Sequence, residues 1–388
     1  MKVLLVILIL FAVAVIAALS FDAVPFALSV LGRRQIGTMS GGEWYSAASS
    51  VILKWLSRGL PSVPVNAGRR LVIIDIIKRR YKADSIQAWQ EASVLLAANE
   101  ISPQKAGEFI YSKIDPTDGR WLKSINRVDS AFLAYAVLCS GETDSIAVKP
   151  AMDETYNMLI KKFDEFGSIP YSADSDIRFV DTVGMVCPFL IKYSLTYDEP
   201  KALEAAVSLI KEYADNAVHD SIGLPAHCFN AKTGAPLGIY GWGRGCGWWA
   251  CGLSESFAVL NETGPDEYIS EKTLILKQML KFAKCISAYQ SENGAFDRNV
   301  LAHSGEDSSA TAMLALFLAY TGKLSSIKEY TDCAEKAMKY IYSCTRRDGT
   351  VDYSQGDTMG IGFYSGESIV LPAAQGFAVR AYLMLGDD

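Results

Sequence analysis

The feature that most constrains this chain is a set of long alanine- and leucine-rich runs without interior proline or glycine. Trp89-Gln-Glu-Ala-Ser-Val-Leu-Leu-Ala-Ala98, Ser130-Ala-Phe-Leu-Ala-Tyr-Ala-Val-Leu138 and Ala310-Thr-Ala-Met-Leu-Ala-Leu-Phe-Leu-Ala-Tyr320 are the clearest. Such runs favour helix by propensity and by apolar periodicity. Thr143-Asp-Ser145 reads as a helix start, and Gly322 as the cap that ends the helix through Tyr320. The β-branched run Leu71-Val-Ile-Ile-Asp-Ile-Ile77 competes as a strand, and we read it as helix.

Polar loops rich in Gly, Asp and aromatic residues fall near 112–127, 163–176, 220–244, 289–306 and 346–364. Their starts recur roughly every 50–70 residues, and each interval holds two ordinary helices, which is the spacing of a helical-hairpin array. The hairpins share no consensus, unlike an open solenoid. Six of them closed into a toroid would bring the long loops to one end of a central pocket. The expectation is an all-α fold, an (α/α)6 six-hairpin barrel, forming one domain over residues 40–388. Length alone, at 388 residues, would also allow two or three domains.

Residues 1–31 are set apart. Lys2 precedes an uncharged apolar run from Val3 to Leu19, which as a helix spans roughly 26 Å, close to the hydrocarbon thickness of a bilayer. Ala18-Leu-Ser20 offers a small-residue cleavage site, so the segment reads as a signal peptide or an uncleaved membrane anchor. Both readings place the barrel outside the cytoplasm. The chain as a whole is half apolar and only 21% charged, too apolar for disorder. The net charge of −6 gives no footprint for nucleic acid.

Eight cysteines show no C-x-x-C pair and no zinc spacing, so most read as reduced core residues. Three histidines, His219, His227 and His303, are too few for a multi-histidine metal centre. No phosphate-binding glycine loop and no G-x-S-x-G elbow occurs. What the chain does hold is Tyr240-Gly-Trp-Gly-Arg-Gly-Cys-Gly-Trp-Trp249. Its glycines allow close backbone approach, Trp242, Trp248 and Trp249 offer flat apolar faces, and Arg244 offers a fork for a carboxylate. Rings beside a carboxylate reader suit an acidic sugar. His227 precedes this cluster in the same long loop. His219 and His303 read as ordinary loop residues.

Two carboxylates stand at helix starts. Asp181, in Arg178-Phe-Val-Asp-Thr-Val-Gly-Met-Val-Cys-Pro-Phe-Leu190, is either an N-cap or a partly desolvated proton donor among apolar neighbours. Asp129 opens the helix at Ser130. A pair facing each other across a barrel mouth is the starting point for glycoside chemistry.

Together, Trp242-Gly-Arg-Gly-Cys-Gly-Trp248, the upstream His227 and Asp181-Thr-Val-Gly-Met-Val-Cys-Pro-Phe-Leu190, with Trp89, Asp129 and Glu306-Asp-Ser-Ser-Ala-Thr-Ala-Met313, resemble the unsaturated rhamnogalacturonyl and unsaturated glucuronyl hydrolases. The resemblance runs in order from about Asp84 to Gly322. It implies a hydrolase that removes a 4,5-unsaturated uronic acid from oligosaccharides made by polysaccharide lyases. It further implies Asp181 as acid/base, Asp129 as the second carboxylate, and Trp89, His227, Trp242, Arg244 and Trp248 at the substrate, Trp89 and Trp248 as stacking platforms. No metal or organic cofactor is implied. The chain departs from the family pattern at Cys246, Phe179 and Asn230, where Asn, Trp and Asp are usual, which bears on substrate contacts. A catalytically silent glycan-binding barrel and another α/α-barrel glycosidase are the competing readings.

Overall fold

The computed structural model describes residues 2–63, 77–79, 85–164, 168–171, 175–358 and 360–386. Helix α1 (Lys2–Gly32) is followed by α2 (Gly41–Arg58), α3 (Ala88–Ile101), α4 (Pro103–Tyr111), α5 (Ser130–Leu138) and α6 (Lys149–Ile160). A short strand β1 (Ile177–Phe179) leads into α7 (Val180–Tyr197), then α8 (Pro200–Ala217), and a hairpin β2 (Ala226–Asn230) and β3 (Pro236–Tyr240). The chain continues through α9 (Gly243–Asn261), α10 (Ile269–Ser287), α11 (Ser308–Ser325), α12 (Lys328–Ser343), β4 (Ser354–Gln355), β5 (Ser368–Ile369) and α13 (Pro372–Leu385). Apart from Ile77, the run at 71–77 lies outside the described residues.

Helices α3, α5, α7, α9, α11 and α13 pack in sequence, and α13 packs back on α3, so the ring closes. Outside it, α4, α6, α8, α10 and α12 each cover the inner helix before them, while α2 covers the α13–α3 seam. The fold is an (α/α)6 barrel. The two rings differ in sequence for a physical reason. Inner helices are walled on both sides, so in α5 every residue from Ser130 to Val137 is buried and no polar face remains. Outer helices such as α8 and α12 keep an exposed charged face and a buried apolar stripe.

Close approach within the inner ring depends on glycine. A Cβ at Gly184 of α7 would sit 2.6 Å from the Trp248 carbonyl oxygen of α9, and one at Gly376 of α13 would sit 2.2 Å from that of Ser93 on α3. Gly322 likewise admits a neighbour, here the outer helix α12, and does not cap a helix. Helix α11 runs past it to Ser325, because a Cβ there would meet Thr331 of α12 at 2.7 Å. All inner helices begin at one end of the barrel, and the long loops gather there. Two of those loops carry strands not foreseen in the sequence. Strands β1, β2 and β3 form an antiparallel sheet in that order, with a bulge between Ala226 and Cys228. Strands β4 and β5 form a second ladder.

The eight cysteines are all free thiols, five of them buried. Helix α1 lies apart from the barrel, and its Lys2–Ser20 span is long and apolar enough to cross a membrane.

Candidate active site

A cavity of about 260 Å³ opens among the starts of the inner helices, just below the roughly 300–1,000 Å³ usual for small-molecule sites. Asp181, His227, Trp242, Arg244, Trp89 and Trp248 all line it. The starts of α3, α7 and α9 point their free N–H groups and positive dipole ends the same way, an arrangement that favours a bound anion.

Asp181 is the second residue of α7. The helix is capped by the extended backbone of Phe179, so the Asp181 carboxylate is not spent as an N-cap. Its side chain remains 18% exposed into the cavity. Burial pushes its pKa up to about 6, opposed by a backbone N–H and by the positive charge of Arg244, and assisted by Asp357. The group thus exchanges its proton near neutrality, where a general acid or base is most effective.

His227 on β2 faces it, with Nε2 3.9 Å from Asp181 Oδ2. Burial and the nearby Arg244 lower the His227 pKa to about 4, so the imidazole is neutral at physiological pH. Its Nδ1 shares a 2.8 Å hydrogen bond with Tyr364 Oη, which also accepts the Ile239 N–H at 3.3 Å. The ring is held by Trp242, Phe179 and Tyr364, at centroid distances of 4.5, 5.2 and 5.3 Å.

The structure revises the roles the sequence suggested for three groups. Arg244 lines the cavity, yet its fork is turned onto the chain. Nη1 donates to the Gln355 carbonyl at 2.7 Å, and Nη2 to the Gly356 carbonyl at 2.9 Å and Thr358 Oγ1 at 3.2 Å. The guanidinium braces the segment after β4 and projects its charge at Asp181. Trp89 and Trp248 meet edge-to-face at 5.4 Å and are 6% and 1% exposed. They form a cavity floor and do not offer open platforms. Asp129 is not among the lining residues. It lies buried at the start of α5, 3.2 Å from Arg127 and near Tyr171, whose phenol is kept protonated first by burial and then by the charges of Asp129 and Asp181.

The second carboxylate in the cavity is Asp357, which the sequence reading missed. Burial raises its pKa to about 6, against Arg244, the Thr358 N–H and Arg127. It rides on the β4–β5 hairpin with Thr358 and Tyr364. Gln355 fastens that hairpin: its N–H donates to Asp307 at 2.8 Å, its Oε1 accepts from Trp242 Nε1 at 2.9 Å, and its Nε2 donates to the Ser365 carbonyl at 2.9 Å. Gly356-Asp-Thr-Met-Gly-Ile-Gly-Phe-Tyr-Ser-Gly366 has the same glycine-and-ring composition as the 240–249 cluster, and that was the available signal.

Of the three departures from the family pattern, only Phe179 reaches the cavity. Cys246 is fully buried, with its thiol pushed far up by burial. Asn230 closes the β2–β3 turn, its Oδ1 accepting the N–H groups of Lys232 and Thr233. His303 is fully exposed and His219 packs on Tyr240, both outside the cavity. Among the described residues no group of three His, Cys, Asp or Glu side chains is disposed to hold a metal ion.

A closed ring of helical hairpins with an acid-bearing, ring-lined pocket at its mouth defines the class as an α/α barrel with a candidate site for a small polar ligand. Residues 109–385 match the sequence profile of Glycosyl Hydrolase Family 88, and the chain belongs to that family; it is a glycoside hydrolase. No curated protein matches it in sequence. Among solved structures it is similar to a possible member of the GH105 family from Klebsiella pneumoniae, with TM-score 0.73, 16% identity, and 90% of this chain and 95% of that one covered. The counterpart from Salmonella enterica gives TM-score 0.69 at 16% identity, covering 89% and 94%. An unsaturated glucuronyl hydrolase from Bacillus sp. GL1 gives 0.64 at 15% identity, covering 88% and 95%.

Proposed function

We propose that the enzyme removes a 4,5-unsaturated uronic acid from the non-reducing end of oligosaccharides produced by polysaccharide lyases. The observation that carries this reading is Asp181, a cavity carboxyl with a pKa of about 6 beside a neutral imidazole. Family membership and the likeness to an unsaturated glucuronyl hydrolase support the substrate class.

In this mechanism protonated Asp181 gives its proton to C4 of the enol-ether double bond. Water adds at C5 and passes its proton to the Asp181 carboxylate, which restores the acid. The hemiketal so formed at C5 opens, and the remainder of the sugar chain leaves as an alcohol. Neutral His227, whose ring is locked by Tyr364 and Trp242, lies where it can hydrogen-bond the sugar or the water. The substrate carboxylate is drawn by the Arg244 charge and by the helix N-termini. Asp129 acts from beside Tyr171, shaping the field at the cavity wall.

Unsaturated disaccharides derived from pectin, glycosaminoglycans and ulvan test this directly, through loss of the ultraviolet absorbance of the conjugated double bond. Wild-type protein is expected to bleach at least one of them, and Asp181→Asn to lose on the order of 10²–10⁴-fold in rate. No bleaching by wild type on any member refutes the substrate class and favours a silent glycan-binding barrel. Bleaching that survives in Asp181→Asn refutes the acid.

We also read α1 as carrying the barrel across a membrane and remaining as its anchor. Beyond Asp22 the helix again exposes apolar side chains, among them Val30 and Leu31, 48% and 52% exposed.

A further inference from the structure

Helix α1 does not reach the barrel through a flexible linker. It ends at Gly32, and a Cβ there would lie 2.7 Å from the Arg346 guanidinium. The next residue, Arg33, makes a bidentate pair with Asp352 at 2.8 and 2.9 Å and donates to the Ser368 carbonyl at 2.8 Å. Asp352 has no exposed side-chain surface and is gripped from the other side by Arg346 at 2.7 Å. The Arg33 guanidinium also covers the Tyr353 ring at 4.6 Å. Beyond it, Gly37 donates to the Thr345 carbonyl and Arg347 to that of Gln35, both at 2.9 Å. An ion-paired, ring-covered joint with this many bonds is stiff.

The joint sits at the base of the β4–β5 hairpin, since Asp352 precedes β4 and Ser368 begins β5. The tip of that hairpin walls the cavity with Asp357, Thr358 and Gly360. Just beyond Gly360 stand Ile361 and Phe363, 38% and 67% exposed. Length closes the argument. The 31 residues of α1 extend about 46 Å, and a bilayer with its headgroups is roughly 40–45 Å thick. With the Lys2–Ser20 span in the hydrocarbon, Arg33 stands about 20 Å of helix beyond it, on the outer side of the headgroup layer. Exposed Arg34 and Arg347 flank the joint, two cations suited to anionic headgroups.

We propose that the cavity mouth faces a lipid bilayer, with α1 crossing it and the hairpin tip at Ile361 and Phe363 resting in its interfacial layer. The substrate then enters along the membrane surface. The proposal rests on α1 being a retained anchor and is independent of the reaction assigned to the cavity.

The test uses the full chain purified from host membranes. It is reconstituted into vesicles of phosphatidylcholine and phosphatidylglycerol whose acyl chains carry bromine, a contact quencher of indole. One variant, Phe363→Trp, places an added indole at the hairpin tip. A second, Ile146→Trp, places one at the opposite end of the barrel, between α5 and α6, where Ile146 is 78% exposed. Relative to wild type, the added emission at 363 is expected to be quenched and that at 146 to be unchanged. Ile361→Trp replaces the first variant if it does not fold. Equal quenching at both ends, or none at the tip, overturns the orientation. An intact mass showing the native chain cut near Ser20 overturns the anchor, whatever the disaccharide assay returns.

Discussion

At the residue scale the acid strength of Asp181 is a balance of opposed effects. Burial raises its pKa, the start of α7 and Arg244 lower it, and the negative charge of Asp357 raises it again. If protonated Asp181 starts the reaction, kcat/KM is level below about pH 6 and falls as pH rises past that value. Asp357→Asn removes the raising charge, so Asp181 loses its proton sooner. The alkaline limb is then expected to move down by on the order of half a pH unit, the scale of one partly screened charge. A pH–rate profile of the variant decides this, and a limb that stays or moves up contradicts it. That Asp181, His227 and Trp242 would share one pocket was legible in the sequence, because each stands in a dense local motif. Asp357 and Tyr364 were not. A ladder only two residues long carries them to the cavity, and no local pattern announces so short a strand. The carbonyl partners of the Arg244 fork were not legible either, since they lie more than a hundred residues away.

Among elements, the inner helices are set by what cannot fit between them. Gly184 lets α7 approach α9, and Gly376 lets α13 approach α3, with backbone oxygen where a methyl group would go. Gly376→Ala must move one helix, and is expected to cost about 1–3 kcal/mol, visible as a lower midpoint in urea with little change in slope. An unchanged midpoint would mean that the seam yields freely. Helix positions were largely readable from apolar runs and loop spacing. Whether a given glycine ends a helix or admits a neighbour was not, as Gly322 illustrates. Both demands leave the same letter, and only the partner helix distinguishes them.

Across the whole molecule, a charged cluster ties four inner helices together away from the mouth. Arg380 of α13 pairs with Glu255 of α9 at 2.6 Å and with Glu100 of α3 at 3.0 Å, and Tyr135 of α5 donates to Glu255 at 2.8 Å. Glu255 and Tyr135 are buried, so Glu255→Ala leaves the Arg380 guanidinium only the part-exposed Glu100 and leaves the Tyr135 hydroxyl without its acceptor. It is expected to destabilise the fold by about 3–5 kcal/mol, measured by thermal or urea unfolding. Disaccharide hydrolysis should persist at low temperature, because the cavity lies elsewhere. A loss below 1 kcal/mol would show that water reaches the cluster.

The seam between α13 and α3 joins parts of the chain some 280 residues apart, through the Ala373 N–H on Gln90 and the Ser93 hydroxyl on the Ala373 carbonyl. Such a closure cannot begin early. While the chain is being made it can be no more than an open arc, with the apolar flank of α3 uncovered until α13 arrives, so folding is paced by its most distant contact. This delay has a consequence of its own: an arc that cannot lock stays open and threadable, and the ring forms only once its last helix has emerged.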